Sequence, residues 1–226
     1  MKLLREWTDK LMQYIYPPRC IFCDEVLPIK GKCKACSKTV ASLRLKGDER
    51  TKEGMKDRAL SKLDGVTASF EYAEEVAEAV IRFKFCGETG MAYEMSQFMA
   101  KDIQELLPVK DIDIVVGVPA YKCSDIHSRL LAKRVAAILD KKYDRKALVK
   151  LVPTRKQHEL NRKEREINIK RAFDVKDKSR VEGKTVLICD DVMTSGNTIN
   201  ECARALKDAG AKSVYASAFS STILPD

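Results

Sequence analysis

The chain has 226 residues, 45% of them hydrophobic, which is enough to bury one good core and carry a small appended module. No apolar run approaches the ~20 residues that span a bilayer, and Met1 to Lys10 lacks the apolar stretch of an export signal, so no transmembrane segment is expected and the chain reads as cytoplasmic. The formal charge of +9 is lopsided, with 15 Lys and Arg against 9 Asp and Glu in residues 1 to 65, a balance that fits a nucleic-acid partner and equally fits a solubilising surface.

In chain order, "MKLLREWTDKLMQYIY" has apolar residues near helical spacing and stops at Pro17-Pro18, which predicts a short amphipathic helix. Four cysteines follow in "CIFCDEVLPIKGKCKAC": Cys20, Cys23, Cys33 and Cys36. Two C-x-x-C knuckles nine residues apart supply four thiolates to one tetrahedral ion, with Gly31 helping the chain turn back, and a closed Cys₄ set predicts structural Zn²⁺. A redox C-x-x-C needs only one pair. The remaining cysteines, Cys86, Cys123, Cys189 and Cys202, stand singly and read as small buried hydrophobes. The charged stretch "RLKGDERTKEGMKDRALSKLDG" reads as a linker. The expected units are therefore residues 1–64, comprising helix, cysteine module and basic linker, and residues 65–226.

From Val66 the pattern alternates. "VTASFEYA" reads as a strand, "EEVAEAVIRFKF" and "MAYEMSQFMAKDIQELL" as helices, and "DIVVGVP" as a strand. "SRLLAKRVAAILDKK" reads as a helix, "ALVKLVP" and "TVLICDD" as strands, "INECARALKDAG" as a helix and "SVYASAFS" as a last strand. Near-continuous apolar strands alternating with helices predict an α/β fold with a parallel sheet covered on both faces.

In such sheets ligands bind beyond the carboxyl ends of the strands, where Asp190 and Asp191 fall. The next residues lead into a helix whose free N–H groups, with the hydroxyls of Thr194, Ser195 and Thr198, form a phosphate cradle that Gly196 lets a ligand approach. Two carboxylates there would repel the phosphate itself, so they face neutral or cationic parts of the ligand, ribose hydroxyls or a hydrated Mg²⁺. An N-capped helix after a buried strand explains the hydroxyls but not the paired acids.

Between "ALVKLVP" and "TVLICDD" lies a long polar connection in which residues 155 to 171 carry seven Lys or Arg against three Glu. It reads either as a functional loop or as a solvated helix with paired charges. Neither His127 nor His158 has an acid–nucleophile pattern beside it.

"VLICDDVMTSGNT" resembles the phosphoribosyl pyrophosphate (PRPP) signature of type I phosphoribosyltransferases. The resemblance implies that Asp190 and Asp191 hold the ribose hydroxyls and that the turn Val192, Met193, Thr194, Ser195, Gly196, Asn197 and Thr198 holds the 5′-phosphate. Pro119 and Ala120 would stand at the pyrophosphate loop, and Mg²⁺ would ride on the pyrophosphate. A mobile loop carrying Arg155 and Lys156, with the segment from Arg162 to Arg165, would close over it.

The cysteine knuckle, "IRFKFCGE", "DIVVGVP", "LVPTRKQHELNRKEREINIKRAFDV" and the signature, in that order, are similar to the ComF family (ComFC and GntX-like proteins). That resemblance implies a role in natural transformation, or competence, where DNA uptake delivers single-stranded DNA to the cytoplasm and a ComFA-type helicase is a partner. Contact with DNA would then fall to Lys30, Lys32 and Lys34 of the knuckle, or to Arg162 and Lys163 of the connection. Where the family has a Pro-rich strand end followed by Arg-Gly-Phe-Asn-Gln, this chain has "GVPAYKCSDIHSRLL", with Gly117 in place of a proline. A lost loop contact weakens catalysis before it weakens the fold. The leading expectation is accordingly a DNA-handling factor on a phosphoribosyltransferase scaffold, and the alternative is an active transferase moving phosphoribose from PRPP to an amine or base.

Overall fold

The computed structural model describes residues 19–27, 33–55, 59–85, 89–120, 126–151 and 171–222. The expected N-terminal helix, Gly31, Cys86, Cys123, His158 and most of the basic connection lie outside the described residues.

Five parallel strands form one sheet in the order β1-β7-β6-β2-β3. Their bounds are β1 Gly65–Glu71, β2 Ile114–Gly117, β3 Lys142–Tyr143, β6 Thr185–Met193 and β7 Ser213–Ser221. The helices are α1 Ser37–Ser42, α2 Glu74–Phe85, α3 Ala92–Leu106, α4 Ile126–Ile138 and α5 Asn197–Asp208.

The central strand β6 has no polar residue from Val186 to Cys189, all fully buried, because both of its faces are covered. One face packs α5 through Ile199, Cys202, Ala203 and Leu206. The other packs α2, α3 and α4 through Val76, Val80, Met95, Met99, Leu131 and Val135.

One expected strand lies elsewhere. "ALVKLVP" contributes only β4, Val149–Lys150, which pairs antiparallel with β5, Phe173–Asp174, in a separate two-stranded sheet. The place beside β2 is taken by Lys142–Tyr143, a pair too short for a sequence period to reveal, and Asp144 extends it by donating its N–H to Val115.

The stretch read as a linker is partly core. Leu45, Met55, Leu60 and Leu63 are buried against the α5 face, and Arg44 and Thr51 make antiparallel bridges to Phe70 and Thr67 of β1. Arg44, Arg50 and Ser69 all converge on the buried carboxylate of Asp102 in α3, at 2.5, 2.8 and 2.5 Å. Three donors compensate that carboxylate for its lost hydration.

The cysteine knuckle is likewise docked. Phe22, between Cys20 and Cys23, packs its ring 5.3 Å from Phe70 and 6.0 Å from Phe98, and it stacks 6.3 Å from Phe219 of β7. Among the described residues no helix is long and apolar enough to cross a membrane.

Candidate functional site

Strand β6 runs through both aspartates and ends at Met193, two residues later than the apolar pattern alone suggests. Successive strand side chains alternate faces, so Asp190 follows Val186 and Ile188 on the α5 side, while Asp191 follows Leu187 and Cys189 on the side of α2 and α4. The turn after the strand is Thr194–Gly196, and α5 starts at Asn197, earlier than the expected Ile199. Gly196 caps that helix with φ +78°, a left-handed conformation that L side chains resist.

Two neighbours brace the turn. Ala59 donates its N–H to the Ser195 carbonyl at 3.1 Å, and Lys62 donates its N–H to Oδ1 of Asn200 at 2.8 Å. Thr222, just after β7, donates to the Met193 carbonyl.

These elements surround a cavity of about 960 Å³. Asp190, Asp191, Val192, Met193, Thr194, Gly196, Asn197 and Thr198 line it, together with Pro119 and Ala120 at the end of β2. Of the expected turn, Ser195 is absent from the lining and is held instead through its carbonyl. Arg155, Lys156, Arg162 and Lys163 lie outside the described residues, as do Lys30 and Lys32, whereas Lys34 is exposed on the knuckle.

The aspartates are electrostatically unlike ordinary carboxylates. Burial, with the neighbouring Asp191 carboxylate, pushes Asp190 up to about 8, while Lys84 and the Asp191 N–H act in the opposite direction. Asp191 is paired instead, with Nζ of Lys84 2.7 Å from its Oδ1.

Lys84 stands at the end of α2, four residues after buried Val80 and eight after buried Val76. A lysine on a buried stripe was the signal in the sequence, and reading "IRFKFCGE" only as a family marker passes over it. His127 also lines the cavity, edge-on to Phe83 at 5.0 Å, and burial holds it below the usual imidazole range. Phe85, 77% exposed, and Ile126 give the cavity an apolar side, and Lys150 and Phe173 complete it from the small sheet.

The second site is the knuckle. The four Sγ atoms of Cys20, Cys23, Cys33 and Cys36 lie within 4.8 Å of one another, with Cys20–Cys36 at 3.5 Å, Cys23–Cys33 at 3.4 Å and Cys33–Cys36 at 3.7 Å. A tetrahedron with Zn–S of about 2.3 Å has edges near 3.8 Å, so the set is compatible with a structural zinc. Burial raises the Cys20 and Cys36 thiols, which need a cation to ionise, while the Cys36 N–H holds Cys33 down to about 7. Arg82 of α2 closes the back of the knuckle, donating to the carbonyls of Ile21 at 2.7 Å and Phe22 at 3.2 Å and pairing with Asp24 at 3.1 Å.

The phosphoribosyl transferase domain family matches residues 98–219, more than half of the chain. The "DNA utilization protein YhgH" of Escherichia coli is 26% identical over 152 residues, which cover 64% of this chain and 66% of that protein. "Competence protein F" of Haemophilus influenzae is 23% identical over 216 residues, covering 87% of this chain and 93% of that protein. Among solved structures, the glutamine PRPP amidotransferase from B. subtilis, complexed with ADP and GMP, is 19% identical with a TM-score of 0.42 and covers 61% of this chain and 30% of that one. By its domain match, its motif order and these relatives, the chain belongs to the phosphoribosyl transferase domain family, among its ComF members.

Proposed function

We propose that this protein handles single-stranded DNA in competence and DNA utilization on a phosphoribosyltransferase scaffold that retains a site for PRPP or a related phosphoribosyl ligand. The observation that carries the ligand reading is the cavity itself: paired carboxylates at a parallel-strand end, a left-handed glycine and the first turn of a helix all line one space of about 960 Å³. In this reading Asp190 and Asp191 take the ribose hydroxyls and the Thr194–Thr198 turn takes the 5′-phosphate. Mg²⁺ would arrive with the pyrophosphate and neutralise its charge. Zn²⁺ in the four-cysteine set is structural, since no coordination position stays open.

The names of the two bacterial relatives favour DNA handling, and the basic front end supplies the charge for it. The second reading, a working transferase, is favoured by the lining of the cavity by Asp190, Asp191 and every residue of the turn but Ser195. Calorimetry with PRPP and Mg²⁺, followed by a pyrophosphate-release assay, separates the two. Binding without release supports the scaffold, release with a supplied amine or base supports the transferase, and no binding at millimolar ligand overturns the phosphoribosyl site.

A further inference from the structure

We propose that the outer flank of the sheet edge, formed by α4 and β3, is the surface on which single-stranded DNA lies. The inference rests on the DNA-handling reading and gives it a place on the molecule, outside the cavity.

Residues 126–146 carry seven Lys or Arg against two Asp, which concentrates more than half of the net charge of +9 in less than a tenth of the chain. The helices differ accordingly. Glu74, Glu75 and Glu78 lie on α2, Glu94, Asp102 and Glu105 on α3, and Glu201 and Asp208 on α5, whereas α4 has no acidic residue. Arg129 and Lys133 stand four apart on α4, a like-charge spacing that costs helix stability. The helix packs through Ser128, Leu131, Ala132, Val135 and Ala136 instead, so the core gives no reason for those charges.

Elsewhere the arginines are taken up by the fold: Arg44 and Arg50 by Asp102, Arg82 by Asp24, Arg204 by Glu201. On the flank, Lys133, Arg134, Lys142, Arg145 and Lys146 are exposed and join no ion pair among the described residues. Of the two acids there, Asp144 is buried and held by Arg180 at 2.9 Å, which leaves Asp140 alone at the surface. Lys141 donates to the Lys110 carbonyl at 3.3 Å and so brings Lys110 to the same surface. A lysine on an edge strand guards it against pairing with another chain, which accounts for Lys142 but not for the cations on α4 or after β3.

The thirteen residues of α4 extend about 20 Å, the length of about six phosphates at a spacing of about 3.4 Å. At Ile126 the flank meets the cavity, whose lining includes exposed Phe85, a ring on which an unpaired base can stack. Among the described residues between Ile126 and Leu151 no large apolar side chain is exposed. The flank thus lacks the anchor with which a basic surface enters a bilayer, and a hydrated polyanion fits it better.

The test is fluorescence anisotropy of a labelled oligothymidylate with the full chain over a range of salt. Lys133→Glu with Arg134→Glu, and Arg145→Glu with Lys146→Glu, should each flatten the log–log salt slope by about 1.4, two contacts at about 0.7, and weaken binding by more than about 10-fold at about 0.1 M salt. Lys62→Glu with Lys212→Glu makes the same change of net charge at exposed positions away from the flank and should leave the slope unchanged. If a Glu pair fails to fold, Gln at the same two positions removes the contacts without adding charge and carries the same slope expectation. Binding that survives the flank reversals with its slope intact, or a control pair that flattens it as much, overturns the inference while leaving the DNA-handling reading in place. Flank-dependent binding to phosphatidylglycerol–phosphatidylcholine vesicles in place of oligothymidylate also overturns it. Wild type that binds no oligothymidylate at low salt overturns the reading beneath it.

Discussion

The backbone of Ser128 passes so close to Gly117 that a Cβ at position 117 would stand 2.7 Å from the Ser128 carbonyl oxygen and 2.9 Å from Cα of Arg129. The first turns of α4 rest on the end of β2, and the Ser128 hydroxyl seals the contact by donating to the Val118 carbonyl at 2.7 Å. This is the physical counterpart of the departure from the family's proline. A side chain there would push α4, and with it His127, away from the cavity.

Gly117→Ala should cost about 1–3 kcal/mol, the range for overpacking against backbone that cannot yield. At about 2–4 °C per kcal/mol for a domain of this size, the melting temperature should fall measurably in a thermal scan. An unchanged melting temperature would show that α4 moves freely, and the close contact would then carry no weight.

Chelation or Cys33→Ser should reach beyond the knuckle. Phe22 is held between Cys20 and Cys23 of the four-thiol set and buried among Phe70, Phe98 and Phe219, so freeing the knuckle loosens the core beneath it. Losing that ring's packing has a cost on the order of 3 kcal/mol, which is about 6–12 °C. Metal analysis should return one zinc per chain in wild type, and a metal-free wild type would remove the prediction.

Asp190 gives stability a pH dependence of known sign. A carboxyl whose folded value is raised to about 8 holds its proton in the native state where the unfolded chain has released it. Stability should therefore fall as pH rises between about 4 and about 8, because the native state binds more protons across that window. Lys84 of α2, His127 of α4 and Cys202 of α5 also face the pair and are present in both forms. Asp190→Asn should flatten this slope, compared by denaturant melts at pH 5 and pH 8, and a variant with the wild-type slope would assign the dependence to another group.

For DNA, three to six phosphate contacts at a slope of about −0.7 each predict a log affinity against log salt slope of roughly −2 to −4 on single strands. Reversing Lys30, Lys32 and Lys34 to Glu should flatten it if the knuckle is the contact surface. If Arg162→Glu with Lys163→Glu does so instead, the connection carries the strand. Absence of binding at low salt would leave the transferase reading standing.

The parallel sheet was legible because its central strands are unbroken apolar runs, and the candidate site because paired acids ahead of Thr-Ser-Gly-Asn-Thr have few other uses. What escaped has physical reasons. A two-residue edge strand such as Lys142–Tyr143 carries no period. Leu45, Met55, Leu60 and Leu63 are spaced too irregularly, among too many charges, to announce burial. Lys84 follows Val76 and Val80 on one helical stripe, but what that stripe meets is settled only when the fold brings α2 over β6. The distance between α2 and β6 in the chain, over one hundred residues, hides the partner.

The ties that run from residues 44–64 into the rest of the molecule bear on how this protein can be dissected or recombined. Arg44 and Arg50 close on Asp102, Lys62 holds Asn200, and the Asp64 carboxylate accepts the Val214 N–H and pairs with Lys207. A chain trimmed to begin at residue 65 would strand the Asp102 charge, unpin the turn after β6 and bare the apolar patch under Leu45 to Leu63. The front portion is thus no cassette to be exchanged between relatives, since its partner surface would have to travel with it, and inheritance in this lineage should preserve the two as one block.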